Sequence, residues 1–184
     1  MTFTELALPG VWAIDDDVFT DERGAFACLW ASEALAARGL DSSLTQCNWS
    51  TNDRKGTIRG LHYQAPPFAQ VKIVRAIRGA VFDVAVDLRP DSPTFMRWIG
   101  MELSERSARA LYLPRGVAHG YQALTNDAAV LYFVSTGYAP DHQRGVRWND
   151  PAFAIAWPLG APTVINARDA AFADFTPDSP ATAR

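Results

Sequence analysis

The chain has 184 residues and a mass of 20.2 kDa, and 48% of its residues are hydrophobic, so we expect one domain spanning residues 1–184. Its net charge of −3 and pI of about 5.5 argue against a nucleic-acid partner. No stretch approaches the ~20 apolar residues of a membrane span, and the first residues lack the pattern of a secretory signal, which argues against a membrane partner.

One helix is predicted early in the chain, over Ser32 to Arg38, with Gly39 as a plausible end. Most of the later chain is predicted to form short strands, separated by Gly, Pro, Asn and Asp. These strands cover residues 71–77, 80–88, 97–103, 109–113 and 129–136. Many short strands with few helices between them indicate a sandwich or barrel, and a jelly roll suits this size. We expect the segment from residue 160 onward to wrap the surface and to fray at its end.

Two of these strands carry polar side chains among apolar ones. Residues 80–88 alternate so that one face is apolar and the other holds Asp83 and Asp87. In the preceding strand, Lys72 shares a face with Val74. Periodicity leaves open whether this face belongs to the core or to a cavity, since a small barrel that holds a ligand shows the same mixture.

The stretch from Arg54 to Gln64 carries the strongest functional signal. It places His62, one of three histidines, after two glycines and two arginines. A titratable ring beside fixed positive charge suits proton transfer on an anionic substrate. A lone histidine more often fills a turn, and this stretch alone leaves that alternative open. The two cysteines, Cys28 and Cys47, match neither a metal-binding nor a redox spacing, and a reduced cytoplasmic location is the simplest account of them.

Six segments in a fixed order extend this signal over most of the chain. They cover residues 59–64, 70–75, 82–89, 92–95, 114–120 and 145–151; the first reads Arg-Gly-Leu-His-Tyr-Gln and the last Gly-Val-Arg-Trp-Asn-Asp-Pro. From about Asp21 to Asp169 the ordered set resembles the dTDP-4-dehydrorhamnose 3,5-epimerase family of deoxysugar biosynthesis. The resemblance implies an all-β cupin, a double-stranded β-helix jelly roll with short peripheral helices. It also implies a cytoplasmic homodimer that uses no metal and no cofactor.

The implied reaction converts dTDP-4-dehydro-6-deoxy-D-glucose to dTDP-4-dehydro-L-rhamnose by inverting carbons 3 and 5 next to the ketone. By the resemblance, the base is His62, its carboxylate partner Asp169, the acid Tyr132, and the cation at the keto oxygen Lys72. Contacts to the dTDP-linked sugar are implied for Arg23, Phe26, Gln46, Asn48, Arg59, His119, Tyr138, Gln143 and Arg168.

The chemistry needs such groups. An α proton leaves a ketone only if the enolate charge is stabilised, which a fixed cation provides, and inversion needs a second proton-transfer group on the opposite ring face. Arginine forks suit a diphosphate, and Phe26, Tyr138 or Trp49 are candidates to stack on the base. No second imidazole follows His62 closely, which disfavours a metal site. Each residue also has a structural alternative: an edge lysine for Lys72, a turn residue for Asp169, a core aromatic for Tyr132, and a turn cap in a loop for His119.

Three positions depart from the family pattern, because Cys28, Cys47 and Gln143 stand where acids are usual. Arg168 also replaces a common lysine. We hypothesise that the epimerase chemistry is kept while the nucleotide or the choice of carbons differs. The alternatives are a mono-epimerase, an epimerase of another nucleotide-linked 4-keto sugar, and a non-catalytic cupin that binds sugar nucleotides; a metal-dependent cupin oxygenase ranks last.

Overall fold

Thirteen strands carry the fold of residues 1–177, the part of the chain that this computed structural model describes. They are β1 (Thr2–Glu5), β2 (Trp12–Asp15), β3 (Val18–Asp21), β4 (Gly24–Ala27), β5 (Gln46–Asn52), β6 (Ile58–Gln64), β7 (Lys72–Arg78), β8 (Ala80–Asp87), β9 (Trp98–Ser104), β10 (Arg109–Leu113), β11 (Val117–Ala123), β12 (Ala128–Val134) and β13 (Gln143–Gly145). The helices are short: α1 is Ser32–Ala36, α2 is Ala167–Ala170, and one 3-10 turn is Pro140–His142. Over this range no helix is long and apolar enough to cross a membrane.

The strands form two main sheets in which every neighbouring pair is antiparallel. The six-stranded sheet has the order β1-β2-β10-β7-β12-β5, and the five-stranded sheet has the order β13-β6-β11-β8-β9. Strands β3 and β4 form a separate hairpin. Chain neighbours such as β6 and β7 lie in different sheets, so the chain crosses repeatedly between them. This arrangement confirms the predicted all-β jelly roll with short peripheral helices.

Clusters of buried apolar side chains pack other segments of the chain against the outer faces of the two sheets. Val84 and Val86 of β8 join a cluster with Phe153, Trp157 and Phe175, so the chain after β13 packs against the five-stranded sheet. A second cluster places the segment around α1 on the six-stranded sheet. Burying one such side chain contributes about 1.5–3 kcal/mol. With its apolar face turned toward the later chain, β8 directs its carboxylates to the other side, where Asp83 and Asp87 are fully buried.

Predicted and observed elements agree best where the sequence alternates. The predicted strands after residue 70 are all present, displaced by at most two residues at an end, and α1 ends at Ala36 rather than at Arg38. The segment after residue 160 wraps the surface to Phe175 as expected. Its predicted fraying end, at residues 178–184, falls outside the described residues.

Two histidines that the sequence left in turns or loops belong to strands instead. His62 lies inside β6 and His119 inside the fully buried β11, opposite each other in register, so the turn and loop interpretations are wrong. The glycines beside them mark close strand packing rather than turns. A Cβ on Gly60 would lie 2.6 Å from the Cα of Gly120, which leaves no room for a side chain.

Candidate active site

A cavity of about 350 Å³ lies between the two sheets. Strands β5, β7 and β12 supply one wall, and β6, β11 and β13 supply the other. The lining residues are Gln46, Asn48, Ser50, Arg59, His62, Tyr63, Gln64, Gln70, Lys72, His119, Tyr121, Tyr132, Val134, Tyr138, Gln143, Asn166 and Asp169. This concentration of polar side chains inside a jelly roll is typical of a binding site for a polar ligand.

A hydrogen-bonded histidine–aspartate pair lines the cavity. His62 Nε2 lies 2.7 Å from Asp169 Oδ1, and Asp169 Oδ2 accepts a hydrogen bond of 2.9 Å from the Gly60 amide. Burial opposes ionisation of Asp169, but the hydrogen bonds from His62 and Gly60 outweigh it and lower the pKa of this carboxyl. An ionised Asp169 accepts a hydrogen bond from the N–H group at Nε2, which leaves Nδ1 of His62 as the nitrogen with a free lone pair.

Local structure explains how Asp169 reaches a strand 107 residues earlier in the chain. It belongs to α2, where the side chain of Asn166 accepts a hydrogen bond of 2.7 Å from its backbone amide. The carboxyl is only 1% exposed, and Phe172 beyond the helix packs edge-on against the His62 ring, with centroids 6.0 Å apart. The interpretation of Asp169 as a solvated turn residue is therefore wrong.

Lys72 supplies a buried ammonium group to the same cavity. Its Nζ donates a hydrogen bond of 3.2 Å to the backbone oxygen of His62. Burial lowers the pKa of Lys72 to about 8, although the charge of Asp83 opposes the shift. Asp83 also accepts a hydrogen bond of 2.9 Å from Nε2 of His119. Lys72 is thus a cavity residue and not a surface lysine that protects a sheet edge.

Tyrosines from both sheets also line the cavity. Tyr132 projects from β12, in the six-stranded sheet, whereas His62 projects from the five-stranded sheet. Burial raises the pKa of Tyr132, with the positive charge of Arg59 acting in the other direction, so its phenol holds a proton at neutral pH. Tyr121, whose hydroxyl lies 2.8 Å from Ser50 Oγ, was missed from the sequence. It stands two residues after His119, and reading residues 117–123 as a strand would have placed both on one face.

Six of the nine predicted substrate contacts line this cavity. Gln46 donates a hydrogen bond of 2.6 Å to Asn48, and Arg59 is held against β5 by bonds of 2.8 Å to Asn52 and to the carbonyl oxygen of Thr51. The six are Gln46, Asn48, Arg59, His119, Tyr138 and Gln143.

The other three contacts predicted from the sequence lie outside the cavity of their own chain. Arg23 stands in the turn of the β3–β4 hairpin and bonds Asp21. Phe26 lies on the same hairpin with 70% of its surface exposed. Arg168 is exposed on α2, beside Asp169. These three residues are therefore absent from the lining of their own chain's cavity, and their contact with the substrate stays a prediction.

Strand alternation also decides which side chains of β5 face the cavity. Asn48 and Ser50 point into the cavity, so Cys47 and Trp49 point to the other face, where Trp49 is 64% exposed. Trp49 therefore cannot stack on a nucleotide bound in its own chain's cavity. Of the three neutral replacements noted in the sequence, Cys28 and Cys47 lie outside the lining and only Gln143 belongs to it.

Comparisons of the sequence and of the structure with known proteins point to the same family. A family profile described as dTDP-4-dehydrorhamnose 3,5-epimerase matches residues 5–176. The dTDP-4-dehydrorhamnose 3,5-epimerase of Pseudomonas aeruginosa is 44% identical over 178 residues, covering 95% of this chain and 97% of the relative. The structure of the Bacillus anthracis enzyme with TDP and PPi bound superposes with a TM-score of 0.91 at 38% identity, covering 95% of this chain and 99% of that one. The Legionella pneumophila enzyme in complex with dTDP-4-keto-L-rhamnose gives a TM-score of 0.88 at 35% identity, with 93% and 90% covered.

Proposed function

This chain belongs to the dTDP-4-dehydrorhamnose 3,5-epimerase family, and from that premise we propose which of its residues invert carbons 3 and 5 of a dTDP-linked 4-keto-6-deoxyhexose. The reaction is an isomerisation of dTDP-4-dehydro-6-deoxy-D-glucose to dTDP-4-dehydro-L-rhamnose. The observation that carries the proposal is one cavity that holds the His62–Asp169 pair, Lys72 and Tyr132 together.

His62 is the base. Nδ1 takes the proton from carbon 3 or carbon 5, and the electron pair of the broken C–H bond forms an enolate with carbon 4 and its oxygen. The imidazolium that results is stabilised by Asp169, whose carboxylate already bonds Nε2 at 2.7 Å.

Lys72 stabilises the enolate. As the proton leaves, negative charge moves to the oxygen on carbon 4, and an ammonium group fixed in a buried cavity meets that charge without reorganisation. Loss of one such donor typically costs about 2.7–4 kcal/mol of transition-state stabilisation. Lys72 is held for this role by its hydrogen bond to the His62 backbone.

Tyr132 returns a proton to the opposite face of the ring. His62 and Tyr132 project from facing sheets, so a sugar between them meets the imidazole on one side and the phenol on the other. The raised pKa of Tyr132 keeps the phenol protonated until the enolate forms. Delivery of that proton from the second face inverts the carbon.

The remaining cavity residues bind the substrate. Arg59 presents a guanidinium anchored on β5, which suits one phosphate of the diphosphate. His119 is oriented by its hydrogen bond to Asp83, and Tyr138 offers an exposed aromatic ring on which the thymine of the nucleotide can stack. Gln143 contributes an amide where a carboxylate is usual in the family.

A homodimer would account for the two predicted contacts on the β3–β4 hairpin, Arg23 and Phe26, which lie outside the cavity of their own chain. The β3–β4 hairpin exposes Val18, Phe19 and Phe26 together with Arg23, an apolar and cationic surface that suits burial against a second copy. We infer that the hairpin of one protomer extends to the nucleotide end of its partner's cavity.

Proton exchange in deuterated water tests the proposed function. With the dTDP-4-keto-6-deoxyglucose substrate, we expect deuterium to enter carbons 3 and 5. Label at a single carbon would support a mono-epimerase, and no label would support a non-catalytic binding protein.

The matched variant is His62→Ala. It should abolish exchange and leave dTDP affinity nearly unchanged, because His62 acts on the sugar and not on the nucleotide. An equal loss of exchange and of affinity would mean that His62 is structural.

A further inference from the structure

The Gly145–Pro151 motif has no part in the proposed proton transfers, yet it starts beside the base. Gly145 pairs with His62 in the register of β13 and β6, and Val146 exchanges backbone hydrogen bonds of 3.1 and 3.2 Å with Leu61. The motif then reaches Asp150, which is only 1% exposed. It therefore connects the strand of the proposed base to a buried carboxylate.

Both oxygens of Asp150 accept backbone hydrogen bonds. Oδ1 accepts from the Ala152 amide at 2.9 Å, which shapes the motif's own turn. Oδ2 accepts from the Phe175 amide at 2.5 Å. The ring of Phe175 is 9% exposed and packs against Phe153, with centroids 5.3 Å apart. Asp150 thus holds a point six residues beyond Asp169.

Residues 163–175, here called the strap, present Asp169 to the base. The strap is bound at its start, where the Ile58 amide donates to the Val164 carbonyl oxygen at 2.9 Å. Its only helix, α2, has four residues, too few to be stable by itself. The position of Asp169 therefore depends on what holds the strap at both ends.

We propose that Asp150 is a positioning residue of the epimerase, because by binding the Phe175 amide it fixes the strap with Asp169 against His62. The inference rests on the proposed role of the His62–Asp169 pair. Displacement by about 1 Å at a catalytic group can cost about 10²-fold in rate. A buried anchor that never touches the substrate can therefore control the proton transfer.

Asp150→Asn tests the proposal with a minimal change of shape. An amide carries an NH₂ group in place of one carboxylate oxygen, so in the same orientation either the Ala152 amide or the Phe175 amide faces a donor instead of an acceptor. We expect kcat for exchange to fall about 10- to 100-fold, with KM changed less than about twofold. An unchanged kcat would overturn the proposal.

Asp174→Asn is the matched control. It also removes one carboxylate, from the residue next to Phe175, but Asp174 is 52% exposed and pairs with Arg147 at the surface. Such pairs contribute little, so kcat should stay near that of the unchanged protein. An equal loss in both variants would contradict a specific role for Asp150.

A double-mutant cycle separates positioning from general stability. Asp169→Asn alone tests the proposed function: if it leaves exchange intact, the catalytic pair itself is disproved. If Asp169→Asn impairs exchange and Asp150 acts through Asp169, adding Asp150→Asn should cause no further loss in kcat. The same fold-loss in both backgrounds would overturn the inference and leave the proposed function standing.

Amide hydrogen exchange of the unchanged protein gives a readout that needs no variant. The Phe175 amide should be protected at least about 100-fold relative to an unfolded chain, because opening the strap must precede its exchange. An unprotected Phe175 amide would show that Asp150 does not hold the strap. The measurement can therefore overturn the proposal even if Asp150→Asn fails to fold.

Discussion

Lys72 is one of two lysines in a chain with fifteen arginines, and the difference between these residue types matters at its position. A guanidinium stays charged at any pH that a protein survives, whereas an ammonium group can lose its proton when it is buried. Burial brings the pKa of Lys72 to about 8, close to the working range of an enzyme. The cation proposed to stabilise the enolate is therefore itself sensitive to pH.

The exchange rate should fall as the pH rises through about 8, because Lys72 is charged below its pKa and neutral above it. Tyr132 cannot cause this decline, since its pKa is raised above the usual value near 10. Lys72→Met should lower kcat about 10²- to 10³-fold and remove the alkaline decline. A decline that persists in Lys72→Met would assign it to another group. The pH profile of kcat for both proteins is the measurement.

At the scale of elements, the β3–β4 hairpin contrasts with the strands that build the cavity. It belongs to neither main sheet, and both of its phenylalanines are more than half exposed. Buried Arg75 joins its two roots, since it pairs with Asp16 before the hairpin and donates to the Leu29 carbonyl oxygen at 2.6 Å after it. The hairpin is therefore held firmly at its base while its apolar surface is left uncovered by its own chain.

Arg23→Ala should weaken dTDP binding about 10- to 100-fold, the usual effect of losing a hydrogen bond to a charged group. Exposed Arg106, between β9 and β10, provides the control, and Arg106→Ala should leave affinity unchanged. Calorimetric titration with dTDP measures both. Unchanged affinity in Arg23→Ala would mean that the hairpin does not reach a nucleotide.

Mixing Arg23→Ala protein with His62→Ala protein tests whether the hairpin acts across a dimer. If it does, a mixed dimer contains one site with both residues intact, and activity should exceed that of either variant alone. No recovery after subunit exchange would mean that Arg23 does not complete the site of a partner protomer.

At the scale of the whole molecule, the two facing sheets enclose the cavity, so a bound sugar meets side chains on both of its faces. Among the three neutral replacements, only Gln143 lines the cavity, so only it can alter nucleotide preference within one protomer. We expect dTDP to bind about tenfold or more tightly than UDP, because an apolar contact to one methyl group is worth about 1–3 kcal/mol. Titrations with both nucleotides measure this preference. Equal affinities would revive the hypothesis that another nucleotide is used.

The alternating pattern of β7 and β8 made these strands and their polar faces predictable from the sequence. Residues 58–64 and 117–123 were harder, because Gly60 and Gly120 resemble turn residues and reveal their role only when two backbones approach closely. The contact between Asp169 and His62 was predicted from the family resemblance, because no local sequence pattern encodes a contact across 107 residues. The outward direction of Trp49 became clear only when β5 was placed in the sheet.

The long separation of His62 and Asp169 has a consequence for the order in which a ribosome makes this protein. Residues of both sheets emerge first, and the carboxylate that supports the imidazole arrives more than a hundred residues after it. A nascent chain that stalls before residue 169 lacks half of the proton-accepting unit. On the proposed mechanism such a chain lacks an oriented base, so we expect turnover to begin only once the late strap has docked.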